Sequence, residues 1–181
     1  LARIAHPVNR ARSSGKQAAW VGGFFATAWL TGCFWWLYVS MHDVGGLPAP
    51  LAGLAVLALA SALALYYAAA CAVWVGLAGK GLRHRPGLAS ALFAALWTLA
   101  ELMRGQWFTG FPWGAGGYAH VDGVLSVWAP WVGVYGLCAL SAFIAMAVVA
   151  ERNDRGNAVL RHFHGRVDRK GQSHNRDMEA M

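Results

Sequence analysis

The chain has 181 residues, 57% of them hydrophobic and only 13% charged, with a mean hydropathy of +0.40 and a formal net charge of +7. Soluble domains carry about 25% charged residues, so this chain lacks the polar surface that a water-soluble fold of its length requires. The composition excludes such a fold and places the chain in a bilayer.

A hydrocarbon core of roughly 30 Å takes about 20 apolar residues in a helix. After a basic head (residues 1–17), Ala18 to Met41, Leu51 to Gly79 and Gly123 to Ala150 have that length and contain no Asp, Glu, Lys or Arg. Gly87 to Ala100 is uncharged for only 14 residues, about 21 Å of helix. It spans if the helix runs on through Glu101 to Arg104, which puts that pair near the far headgroup level, where snorkelling lowers its cost. The expected fold is an all-α, polytopic membrane helix bundle of about four transmembrane helices (18–41, 51–79, 87–104, 123–150). Outer loops at 42–50 and 105–122 join them, and no soluble catalytic domain is present.

Basic residues set the orientation, since cytoplasmic loops carry their excess. The head has Arg3, Arg10, Arg12 and Lys16; the Lys80 to Arg85 loop has three basic residues and the tail after Ala150 has seven, while 42–50 and 105–122 have none. Both termini therefore read as cytoplasmic. Indole rings favour the bilayer interface, and Trp35, Trp36, Trp107, Trp113, Trp128 and Trp131 all fall at the outer boundary. Trp20 and Trp74 fall near the inner one, and Trp29 and Trp97 sit deeper as packing residues.

Within the second span, Ala60, Ala64, Ala68, Ala72 and Gly76 recur every four residues, a stripe of small side chains that admits a close neighbour and makes this helix central. The hydroxyls of Thr27, Ser61, Ser90 and Thr98 can bond to their own helix backbone. Cys33, Cys71 and Cys138 lie inside apolar segments with no nearby base to activate a thiolate. Leu30 to Cys33 follow a basic head and an apolar run as a lipoprotein signal would, but the chain continues with FWWLYVS where such a signal has a polar mature terminus. His162 and His164 read as a solvated pair, not as metal ligands. No zinc, phosphate-loop or dinucleotide motif occurs, so no metal or cofactor is expected. The tail, residues 151–181, sets seven basic against five acidic residues without interleaved aromatics. It reads as a disordered extension that does not bind nucleic acid.

The outer loops are more than connectors. HDVGGLPAP (42–50) couples a flexible Gly pair to prolines that fix the backbone before the next helix. Residues 105–122 are rich in Phe, Trp, Gly and Tyr and would lie on the outer leaflet. This segment divides evenly between an aromatic belt with a turn and a lipid-binding or domain-docking surface formed with Glu101, Arg104, Phe111, Pro112, Trp113 and Tyr118. Glu101 and Arg104 share a helix face at i and i+3. They either neutralise each other so that a short helix can finish, or Arg104 meets a lipid phosphate while Glu101 orients it.

FWWLYVSMHDVGGLPAP (34–50), LAELMRGQWFTGFPW (99–113), Gly117, Tyr118 and APWVGVYGL (129–137) together resemble the membrane domain of bacterial apolipoprotein N-acyltransferases, from about Ala18 to Ala150. The resemblance implies a multi-pass protein of the bacterial inner membrane whose substrates are a membrane phospholipid and an apolipoprotein. An acyl chain passes from the phospholipid to the free amine of a diacylglyceryl cysteine. In that family a nitrilase-like domain with a Glu, Lys and Cys triad does the chemistry through a thioester, and the membrane helices hold it over the outer leaflet. None of the three cysteines here maps onto that nucleophile. The chain begins with Leu and a basic head where the family has further helices, and it lacks a nitrilase-like segment. Resemblance stops near Ala150, as a shifted reading frame would cause. The expectation is a membrane-domain fragment, inactive alone, whose partner is a nitrilase-like domain missing from this chain. The alternative is a small non-catalytic four-helix membrane scaffold.

Overall fold

The computed structural model describes residues 7–78, 82, 85–107 and 110–179, with side chains described from Ser14 to Gly156 among them. Lys80, Arg83, Phe108 and Thr109 lie outside the described residues, as do the side chains of His162 and His164. The described residues contain no strand. The helices are α1 (Pro7–Cys33), α2 (Trp35–Val39, continued by a π-helical turn at Ser40–Val44), α3 (Ala49–Leu77), α4 (Pro86–Gln106) and α5 (Ala129–Glu179). The all-α membrane bundle is as the sequence implies: three helices are long and apolar enough to cross a bilayer, and a fourth span forms if the bent pair of α1 and α2 counts as one.

Proline starts the second and third spans. Pro50 lies in the first turn of α3 and Pro86 opens α4, where the missing N–H costs nothing and the fixed φ suits a helix. The first span is broken. At Phe34 the backbone leaves the helix (φ −96°, ψ 13°) and the axis bends by 53°. Phe34 itself is fully buried, so the bend is held by packing. Beyond it, the first outer loop is closed by its own bonds: His42 Nδ1 pairs with the Leu47 carbonyl at 2.8 Å and the Leu47 amide donates to Met41 at 3.0 Å.

α3 packs against α1 on one side and α4 on the other, and α4 packs against α5. The buried side of α3 runs through Ala52, Val56, Ala60, Ala64 and Tyr67, so the stripe of small residues is exposed at its far end, Gly76, and buried at Ala60 and Ala64. Against it, Gly22 of α1 leaves no room for a side chain beside the Cys71 thiol, and Gly23 lies close to the Ala68 methyl. Trp29 and Trp97 join Tyr67 and Phe93 in an aromatic stack inside the bundle, with Trp29 and Trp97 6.5 Å apart and 18° from parallel. Ser90 donates to the Pro86 carbonyl one turn back, whereas the buried Thr98 hydroxyl lacks such a bond.

Three boundaries differ from the sequence reading; the first is that α1 already begins at Pro7, within the stretch read as a basic head. The last helix begins at Ala129, not Gly123, because residues 124–128 form a 3₁₀ turn, and Gly133 interrupts it again with φ 65° and ψ −176°. Pro130 in the first turn of α5 marks that start as Pro50 and Pro86 mark theirs, whereas the break at Gly133 carries no such signal. Helical backbone also continues from Glu151 to Glu179, where the sequence suggests an extension without fixed structure. A Glu151–Arg155 pair at 2.6 Å supports the first turn of that stretch.

Candidate functional site: a buried ion pair that holds the outer loop

Glu101 and Arg104 lie on the last two turns of α4, and both are buried, at 0% and 1% exposure. This corrects the expectation of snorkelling at the headgroup level: the pair turns into the bundle, where Tyr67 meets it from the second half of α3. Isolated charges in that setting are costly, so each must find partners inside the protein.

They do. Tyr67 donates its hydroxyl hydrogen to Glu101 Oε1 at 2.9 Å and accepts from Arg104 Nε at 3.1 Å, standing between the two charges. Arg104 Nη2 donates to Glu101 Oε2 at 3.4 Å. Arg104 Nη1 donates to two backbone carbonyls, Phe111 at 2.6 Å and Trp113 at 2.7 Å. The Gly116 amide donates to the Glu101 carboxylate, at 3.2 and 3.3 Å from its two oxygens. A planar guanidinium spreads its donors over three nitrogens and so reaches these separated acceptors at once, whereas an ammonium carries all its donors on a single nitrogen.

The ion pair thereby fixes the second outer loop. Held at Phe111, Trp113 and Gly116, the loop presses Phe111 edge-on against Phe34 with ring centres 5.0 Å apart, and brings Trp113 within 6.3 Å of Trp36. Gly114, at φ 72°, sits against Cys33 and Phe34, where the left-handed backbone and the close contact both favour glycine. Gly117 lies so near the Val134 carbonyl that a side chain there would overlap it. The bend in the first span, the end of α4 and the start of α5 thus meet under one loop.

Of the residues singled out from sequence, Glu101, Arg104, Phe111 and Trp113 come together. Trp113 does so through its backbone carbonyl, its side chain being exposed, while Pro112 and Tyr118, also exposed, make no bond to the ion pair. Sequence reasoning missed Tyr67, Gly116 and Phe34. Tyr67 had one signal, a phenol in an otherwise Ala- and Leu-rich helix; the other two had none. The three thiols pack against glycines, Cys71 at Gly22, Cys33 at Gly114 and Cys138 at Gly116. They serve as small apolar side chains in helix contacts. Chemically, the cluster is a positioning device. Arg104 is enclosed and occupied, and a lipid phosphate could reach it only by displacing the loop.

Residues 2–147 match the family model described as the apolipoprotein N-acyltransferase N-terminal domain. The chain belongs to this family. It is 56% identical over 163 residues to the apolipoprotein N-acyltransferase of Verminephrobacter eiseniae, covering 90% of this chain and 29% of that relative. To the apolipoprotein N-acyltransferase of Ralstonia nicotianae it is 48% identical over 140 residues, or 76% of this chain and 26% of the relative. To that of Pseudomonas putida it is 42% identical over 124 residues, or 67% and 24%. The chain spans less than a third of the length of these curated relatives. Family membership gives the chain an acyltransferase ancestry.

Proposed function

We propose that this chain is the membrane part of an inner-membrane apolipoprotein N-acyltransferase, with both termini of the described segment on the cytoplasmic side. The reaction moves an acyl chain from a phospholipid to the N-terminal amine of a diacylglyceryl cysteine on an apolipoprotein. A covalent acyl-enzyme splits that transfer into two easier steps. The nucleophile belongs to a nitrilase-like domain outside these residues, and the chain alone is inactive. Placement of Arg and Lys supports the orientation: 42–50 and 105–122 carry none, while the head, the Lys80 to Arg85 loop and the tail do.

The observation that carries the reading is the fixing of the Trp-rich loop by a buried Glu101–Arg104 pair in a chain of this family. Glu101 and Arg104 act as positioning residues. Phe111, Pro112, Trp113 and Tyr118 form the outer surface on which the lipid or the catalytic domain docks, and the exposure of Trp113 and Tyr118 supports that role. The test is Arg104→Ala in the acyltransferase that carries this domain, scored by membrane abundance and by conversion of diacyl to triacyl lipoprotein. Reduced conversion at normal abundance supports the reading. Unchanged conversion at normal abundance overturns it.

A further inference from the structure

The uncharged stretch Val124–Ala150 is 27 residues long, about 40 Å as one straight helix against a hydrocarbon core of roughly 30 Å. The backbone is broken at Gly133, whose φ of 65° and ψ of −176° take the chain out of the helix. From Val134 to Ala150 the helix is about 25 Å long and leads into Glu151 and Arg152. Seventeen residues is the short end of what crosses a bilayer, so that part is long enough to span by itself, which leaves Val124–Val132 to be placed.

We propose that Val124–Val132 is a wedge embedded in the hydrocarbon of the leaflet on which the loops 42–50 and 105–122 sit, folded back beside Val134–Ala150 instead of lengthening that helix into water. Depth is the first argument. Trp128 and Val132 line an apolar groove of about 520 Å³ together with Ala91 and Ala95, from the first half of α4, and Phe143 of α5. Those residues lie well inside their spans, so a segment resting among them is below the membrane surface. The Val132 side chain also covers Gly136, one turn into α5, where a further side chain would collide with it.

Chemistry is the second argument. Val124, Val127 and Trp131 are 91%, 74% and 84% exposed, an apolar surface that water would not tolerate at this size. No charge occurs between Asp122 and Glu151. The turn satisfies its own backbone: the Ser126 amide donates to Gly123 at 3.0 Å and the Ala129 amide to Ser126, as hydrocarbon requires of any chain that enters it. The occupant of the surrounding space is lipid acyl chain, because the exposed surface continues without a polar boundary onto the exposed Phe143, Ile144 and Val148 of α5.

The test uses the intact chain in bilayers of phosphatidylethanolamine and phosphatidylglycerol, carrying a nitroxide at Val124→Cys or at Val127→Cys, with the signal of the unsubstituted chain subtracted. Asp122→Cys serves as the aqueous reference and Ile144→Cys as the lipid reference. Power saturation at both wedge sites is expected to give a ratio of oxygen to water-soluble nickel complex collisions above one, close to the Ile144 reference. A ratio below one at both sites, as at Asp122, overturns the wedge. Low collision rates for both relaxers with an immobilised spectrum also overturn it, since protein and not lipid would then cover the surface.

Discussion

The Arg104 guanidinium donates to the Trp113 carbonyl at 2.7 Å, so the last turn of α4 grips a residue nine positions further along the chain. That bond and its twin to Phe111 turn a flexible aromatic loop into a fixed cap over three helix ends. Arg104→Ala removes both and leaves Glu101 buried without its counter-charge, a loss of about 3 to 5 kcal/mol for a buried pair. Arg104→Lys keeps the charge but not the three-way reach, and is expected to recover only part. The double variant Glu101→Gln with Arg104→Met should be less destabilised than Arg104→Ala. Unfolding in mixed micelles, with protease cutting at the outer loop as a second readout, orders the three.

Tyr67→Phe keeps the aromatic stack with Trp97 and deletes only the hydroxyl between Glu101 and Arg104. Each charge then lacks one bond, at a cost of about 1 to 3 kcal/mol. Tyr67→Phe should therefore be less stable than the parent while its far-ultraviolet dichroism, which reports the helices, stays the same. Parent-like stability would mean that the two charges reach each other without the phenol.

Gly117→Ala places a methyl group against the Val134 carbonyl, so the loop must lift from α5. Gly53→Ala is the matched control, because nothing lies within 4 Å of the added carbon, and the gain in helix propensity is about 1 kcal/mol at most. Opposite shifts in melting temperature are expected, down for Gly117→Ala and level or up for Gly53→Ala.

Trp113→Ala and Tyr118→Ala change side chains that are 56% and 60% exposed. For Tyr118→Ala the effect on stability should be small, within about 0.5 kcal/mol, and for Trp113→Ala larger, because that ring packs on Trp36 and Phe111. Under the proposed function they lower acyl transfer in the acyltransferase that carries this domain. The check is triacyl lipoprotein formation at matched membrane abundance.

Hydrophobic length and charge made the spans legible, because a bilayer permits few alternatives to a helix of the right length. The weight placed on Glu101, Arg104, Phe111 and Trp113 was legible too, since an acid and a base at the end of a short apolar helix need partners. Their partners were not. Gly116 contributes a backbone amide, which every non-proline residue has, and Tyr67 stands 34 positions from Glu101. The bend at Phe34 lacks the proline that marks many kinks, and is set by contact with Phe111. At Gly133 the sequence offers one glycine among several, and only the backbone angle distinguishes it.

The supply of partners to Glu101 and Arg104 from both sides of α4 sets an order of biogenesis. As the chain is synthesised, α3 precedes α4, so Tyr67 is available when the two charges emerge. Phe111, Trp113 and Gly116 come later. In that interval the nascent α4 carries an incompletely solvated charge pair. Its last partner, Gly116, follows only after the twelve residues from Gly105 to Gly116 have been added, which couples burial of this helix end to the folding of the segment that follows it.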